Sequence, residues 1–247
     1  MLAIIGGTGL TQLANLDVSR RQSVRTPYGE PSGPLTFGAI RGVPVVFLAR
    51  HGTGHTIAPH QVNYRANLWA LKEEGAGDIV SVVSVGGIRA DLAPGRIVVP
   101  HQILDYTWGR MHTFFENEAP VRHIDFTGPY TDELRKKLLA AAKACGEAAV
   151  DGSVYAATQG PRLETAVEID RLERDGADIV GMTGMPEAAL AREIELAYAS
   201  IAVVVNQAAG RGASVRGVPL REIEEVLKDA MGRVRKIIEA LVAKAAA

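Results

Sequence analysis

The chain contains a single cysteine, Cys145, in 247 residues. This excludes an internal disulfide and a cysteine-based metal cage, and near the end of an amphipathic stretch Cys145 reads as a small buried filler. Excess charge is also missing. Lys plus Arg number 27 against 28 Asp plus Glu, a net charge of -1, so there is no electrostatic footprint for nucleic acid or a membrane surface. No apolar run approaches the ~20 residues of a membrane span. The opening MLAIIGGTG has no basic leader before its apolar residues, so no signal peptide and a cytoplasmic location are expected. Two nucleotide signatures fail as well. Counting from Gly7, Gln12 takes the place of the third glycine of a dinucleotide fingerprint, and no Lys-Ser or Lys-Thr follows as a triphosphate loop requires.

What remains is a chain that is 47% hydrophobic, with 26 glycines spread along its length. That composition and size fit one α/β domain over residues 1–247. Short apolar runs predict strands at Leu2–Ile5, Pro34–Ile40, Val43–Ala49, Ile79–Val85, Arg96–Pro100, Val154–Thr158 and Ile201–Val205. His101–Tyr106 is expected to continue as sheet, and Thr26–Gly38 as the loop leading into the hairpin. Amphipathic spacing predicts helices at Gln61–Glu74, Thr131–Cys145, Glu187–Tyr198 and Pro219–Ala246.

The exits of the strands carry the chemistry. Leu2–Ile5 runs into Gly6-Gly7-Thr8-Gly9, a turn able to aim N–H groups and a hydroxyl at an anion. Val43–Ala49 ends in Arg50-His51, a guanidinium fork and a second donor suited to an oxyanion. Ile79–Val85 closes in Gly86-Gly87, Ile201–Val205 in Asn206-Gln207-Ala208. Ile179-Val180 leads to Met182 and Thr183 between Gly181 and Gly184, where bare backbone allows close approach of a ligand. Pro186 then opens a helix. Polar residues collected at strand ends are the ligand edge of an α/β sheet. His51, His55 and His60 do not form a metal motif, because Gly52, Gly54 and Pro59 break the helix that would align them. The aromatics and histidines of Thr107–Tyr130, without periodicity, suit a ligand cap or a subunit interface.

Taken together, GGTGL at 6–10, ARHG at 49–52 with His55 beyond it, NYRANLWALKEEG at 63–75, QGPRLET at 159–165 and MTGMPE at 182–187 resemble the trimeric purine nucleoside phosphorylase and 5'-methylthioadenosine phosphorylase family. The resemblance covers nearly the whole chain. It implies a twisted mixed sheet flanked by helices, phosphorolysis of a purine nucleoside with inorganic phosphate as co-substrate and no other cofactor or metal, and a homotrimer with sites near subunit contacts. By the same resemblance Thr8, Arg50, His51 and Thr183, with the backbone around Ser84, hold phosphate. Met182 lies against the ribose, Leu163, Glu164, Asn206 and Ala208 form the base site, and His123 is lent to a neighbouring subunit's 5' pocket.

The base site departs from the methylthioadenosine branch, which typically has Ser at position 164 and Asp at 206 and 208. Glu164 and Asn206 match the 6-oxopurine enzymes instead. An amide can donate to O6 or N7, and a carboxylate can accept from N1–H. Beyond Asn206, residues 210–247 hold no histidine for a 5'-hydroxyl, while Val215, Val218 and Leu220 are apolar. The expected substrate is S-methyl-5'-thioinosine, giving hypoxanthine and 5-methylthioribose 1-phosphate, with Asn206 and Glu164 as the catalytic pair. The rival readings are a methylthioadenosine phosphorylase, a general 6-oxopurine nucleoside phosphorylase, an NAD-dependent oxidoreductase built on Gly6–Gly9, and a nucleoside-binding protein without catalysis.

Overall fold

The computed structural model describes residues 1–245. Its strands are β1 (Leu2–Gly6), β2 (Asp17–Gln22), β3 (Leu35–Ile40), β4 (Val43–Ala49), β5 (Asp78–Gly87), β6 (Ile97–Val99), β7 (Gln102–Asp105), β8 (Val150–Asp151), β9 (Val154–Ala157), β10 (Ile179–Gly181) and β11 (Ala197–Gln207). The helices are α1 (Tyr64–Glu73), α2 (Asp132–Ala144), α3 (Ala166–Arg174), α4 (Gly184–Glu193) and α5 (Leu220–Ala245). The expected end of the last helix, Ala246, lies outside the described residues.

All eleven strands join one mixed sheet organised on β5. Along one edge β5 pairs with parallel β11 over its whole length, from Ala197 opposite Asp78 to Gln207 opposite Gly87. The other edge is divided. Parallel β1 pairs only as far as Ile5 opposite Ser81, and antiparallel β10 takes over at Gly86 and Gly87. Between them the edge of β5 from Val82 to Val85 is released from β1 and β10, and a cleft opens there. The continuous apolar character of β1, β5 and β11 follows from this position, since a parallel strand covered on both faces has no solvent side to keep polar.

One face of the sheet is covered by α2 and α5, which bury Leu134, Leu138, Val234, Ile237, Ile238 and Leu241 against Ile4, Val80, Val82, Ile201 and Val203. α1 and α4 cover the other, with Leu68, Leu71, Ala188 and Leu190 against Ala3, Ile5, Leu48 and Ile79. α5 thus turns the apolar side of its amphipathic pattern into the core.

Two expectations are corrected. The helix expected over Glu187–Tyr198 ends at Glu193, and Ala197 and Tyr198 already belong to β11. AYASIAVVV is a nearly continuous apolar run buried along its length, in which a strand and a buried helical segment cannot be told apart by periodicity. The hairpin also gains a strand that was not expected, β2. It reads DVSRRQ and is almost wholly exposed, an edge strand whose charge guards it against further pairing.

Candidate functional site

Thr8, Arg50, His51, Ser84, Leu163, Glu164, Met182, Thr183, Asn206 and Ala208 all line one cleft of about 290 Å³ where the edge of β5 is released. Val83, Val85, Val180 and Val205 supply much of its apolar wall. None of the expected phosphate, ribose and base residues is missing, but His123, expected at a 5' pocket, is absent from this wall and exposed on the 107–130 segment.

Asn206 reaches the cleft through a bulge. β11 and β5 shift register between Val204 and Asn206, so Val205 is the extra residue. Neighbours on a regular strand face opposite sides; the bulge re-aims the chain so that Val205 and Asn206 both line the cleft. Asn206 is 8% exposed, and its Nδ2 donates to Gln207 O at 2.7 Å, leaving one N–H for a ligand.

Glu164 lies outside its helix. Thr165 is the N-cap of α3 in a reciprocal capping box with Glu168, so Glu168 takes the first-turn role and Glu164 is free of it. Thr158 Oγ1 donates to Glu164 Oε1 at 2.6 Å, which leaves Oε2 to accept from a ligand. No expectation attached to Thr158, one residue past a plain apolar strand.

The phosphate side differs from its expected design. The Arg50 fork is not free for a ligand anion: Nε and Nη2 engage the two oxygens of Glu187 at 2.7 and 2.8 Å, Nη2 also reaches Ser81 Oγ at 2.7 Å, and Nη1 donates to Val82 O at 3.2 Å. Burial opposes the charge on Arg50, but Glu187 more than offsets it and holds the guanidinium protonated. With four of five donors engaged, one Nη1–H remains for the cleft.

His51 is also corrected. Its Nδ1 lies 2.8 Å from Ile57 O, and a carbonyl only accepts, so Nδ1 carries the proton and Nε2 is left as a lone pair in the neutral ring. Burial first, then the charge of Arg50, lowers its pKa from the ordinary 6.5 to about 4. Neutral His51 therefore offers the cleft an acceptor rather than a second donor. Because the folded state releases this proton, His51 stabilises the fold above about pH 6.5, and that contribution is lost as pH falls through about 4. Urea unfolding between pH 7 and pH 4 should show wild type losing up to about 3 kcal/mol more than His51→Gln; equal slopes would refute the buried neutral ring.

The glycines around Met182 and Thr183 have a different purpose from the one expected. A Cβ on Gly181 would lie 2.5 Å from Tyr155 Oη, and one on Gly184 would lie 2.6 Å from the Tyr155 ring. The bare backbone thus admits Tyr155, whose hydroxyl oxygen accepts from Thr183 N and Gly184 N at 3.2 and 3.3 Å. This uses amides at the start of α4 and leaves the Thr183 hydroxyl for the cleft. His55 also lines the cleft, its ring centroid 4.7 Å from that of His51. Of the apolar residues expected at the 5' side only Val218 lines the wall, joined by Ile223, whereas Val215 and Leu220 are exposed.

The family model described as phosphorylase superfamily matches residues 1–243. The chain is 57% identical over 234 residues to a probable S-methyl-5'-thioinosine phosphorylase of Pseudomonas syringae pv. tomato, covering 94% of each. It is 47% identical over 215 residues to a probable 6-oxopurine nucleoside phosphorylase of Thermococcus kodakarensis, covering 85% of this chain and 80% of that one. Methylthioadenosine phosphorylase from Schistosoma mansoni, solved in complex with adenine, superposes with a TM-score of 0.94 at 34% identity, over 99% of this chain and 91% of that one. A match along almost the whole length, with the expected donors gathered in one cleft of the same fold, places this chain in the phosphorylase superfamily.

Proposed function

We propose that this chain catalyses phosphate-dependent cleavage of S-methyl-5'-thioinosine to hypoxanthine and 5-methylthioribose 1-phosphate. The observation that carries the reading is the joining of an oxopurine-type pair, Glu164 and Asn206, to the hydroxyl and arginine donors Thr8, Thr183 and Arg50 in one cleft. A phosphate oxygen attacks C1' as the C1'–N9 bond breaks and its electron pair passes to the purine. Asn206 donates to O6 or N7 as negative charge grows on the base, and Glu164 accepts from N1–H. Donors placed for charge that develops only in the transition state lower the barrier without tightening the ground state. Thr8, Thr183, the free Arg50 N–H and the backbone around Ser84 hold the anion, while His51 Nε2 accepts a hydrogen bond from its P–OH. The proton that phosphate gives up on becoming the sugar phosphate dianion ends on the departing purine. Met182 lies against the ribose, Leu163 and Ala208 against the base. The reaction uses phosphate as co-substrate and needs no metal.

At the 5' end, Val218 and Ile223 suit an alkylthio group. The active form is a homotrimer in the cytoplasm, with His123 of the partner subunit completing that pocket. Exposed Trp108, Met111 and Val121 on the same segment as His123 support a contact there. A second reading, a general 6-oxopurine nucleoside phosphorylase, is favoured by His55 on the cleft wall, where it could meet a 5'-hydroxyl.

One assay separates these readings. Hypoxanthine release is measured from S-methyl-5'-thioinosine and from inosine, and adenine release from methylthioadenosine, with and without phosphate and with a chelator present. The expected result is strict phosphate dependence, no chelator effect and the highest kcat/KM for methylthioinosine, from protein that sediments as a trimer. Preference for inosine would establish the second reading; preference for methylthioadenosine would overturn the oxopurine assignment.

A further inference from the structure

Arg110 has no carboxylate partner among the described residues, although it is 7% exposed. Its N–H donors go to neutral acceptors, chiefly on two separate turns, with Tyr64 Oη on α1 a more distant acceptor for Nη1 at 3.4 Å. Nε donates to Gln159 Oε1 at 3.1 Å, and Nη2 to Thr158 O and Gln159 O at 3.3 and 2.8 Å. Nη1 donates to Met182 O at 2.9 Å and to Met185 O at 2.6 Å. The first turn leaves β9 and carries Leu163 and Glu164; the second leaves β10 and carries Met182 and Thr183. The cleft is lined by both.

Burying a guanidinium without a counter-charge is costly, and strand-end carbonyls could be satisfied more cheaply by water or backbone. What a planar fork provides is fixed geometry: donors on opposite edges of one rigid plane hold two backbones at a set spacing. The structure assigns Arg110 as a positioning residue that sets the separation between the base-binding turn and the ribose-binding turn. The assignment builds on the nucleoside phosphorylase reading of the cleft. Misplacing a bound reactant by about 1 Å can cost on the order of 100-fold in rate, so such a strut acts chiefly on the nucleoside: of the phosphate donors only Thr183 lies on a turn it holds, while Thr8 and Arg50 lie on other elements.

The test uses Arg110→Lys and Arg110→Gln in the full chain. Lys keeps the charge but not the fork and cannot span both turns. Each variant should show a nucleoside KM raised at least about tenfold, a kcat lowered about 10- to 100-fold and a phosphate KM raised several-fold less than the nucleoside KM, since Thr183 alone among the phosphate donors is on a held turn. A loss of folded protein alone would lower the apparent kcat without this split. Hydrogen exchange of ligand-free protein gives a second readout: segments 158–164 and 182–185 should exchange faster in Arg110→Lys while β1 and β5 are unchanged. Should neither variant fold, Gln159→Ala removes only the amide acceptor and should loosen 158–164. Wild-type kinetics from Arg110→Lys, or unchanged exchange in both turns, would overturn the assignment. Absence of phosphorolysis in wild type would instead refute the activity, and the exchange result would still decide the role of Arg110.

Discussion

Glu187→Ala should cost about 3 to 5 kcal/mol of stability, the range for removing one partner of a buried ion pair. Against a typical total of about 5 to 15 kcal/mol this brings the protein close to unfolding. Glu187 is fully buried and its carboxylate accepts four bonds: two from Arg50, one from Ser81 Oγ at 2.9 Å and one from Tyr198 Oη at 2.8 Å. Its loss strands a guanidinium and a phenol in a dry interior beside the cleft. Arg50→Met combined with Glu187→Leu removes both charges and should recover most of the stability, because an apolar pair of similar volume avoids the desolvation cost. The double variant should nevertheless be inactive, having lost the remaining Arg50 donor. Urea unfolding of wild type, Arg50→Met, Glu187→Leu and the double variant measures the cycle, with Glu187→Ala alongside. A Glu187→Ala loss below about 1 kcal/mol would mean that water reaches Arg50, and the fork would then be free to bind phosphate after all.

Asn206→Asp should lower kcat/KM for methylthioinosine about 100- to 1000-fold, the cost of losing one placed donor in an acyl- or glycosyl-type transition state. A second effect follows from Gln207 O, to which Asn206 Nδ2 now donates at 2.7 Å. A carboxylate oxygen placed there meets a carbonyl, so the Asp is pushed toward its protonated form. Protonated, it can donate to Gln207 O or to N7 of either purine; ionised, it repels O6 and accepts from a 6-amino group. Turnover of methylthioadenosine should therefore fall much less, and residual methylthioinosine turnover should rise as pH is lowered. Glu164 still favours N1–H, so full conversion to a 6-aminopurine enzyme is expected only with Glu164→Ser and Ala208→Asp added. The measurement is the ratio of kcat/KM for the two nucleosides across pH. An unchanged ratio would remove Asn206 from the base edge.

These two residues mark the boundary between what the sequence determines and what the tertiary structure decides. β1, β3, β4 and β5, α1 and α2, and the stripe of α5 were all legible, because each is long or apolar enough for local pattern to decide its conformation. The delivery of Thr8, Arg50, Thr183 and Asn206 to strand exits was legible for the same reason, and these exits do converge on one cleft. β2 was not legible: its polar residues carry no burial signal and are held by pairing with β3. Nor was the start of β11, where a buried parallel partner overrides a segment that also suits a helix. Least legible were the partners. Arg50 and Glu187 stand 137 positions apart, Arg110 sits in a stretch without periodicity, and Thr158 and Tyr155 lie on or just past a plain apolar strand. Residue type specified that donors and acceptors were present. Only the packing of distant turns decided which of them neutralise each other and which remain for a ligand, because hydrogen bonds and ion pairs depend on ångström-scale distances that local sequence does not encode.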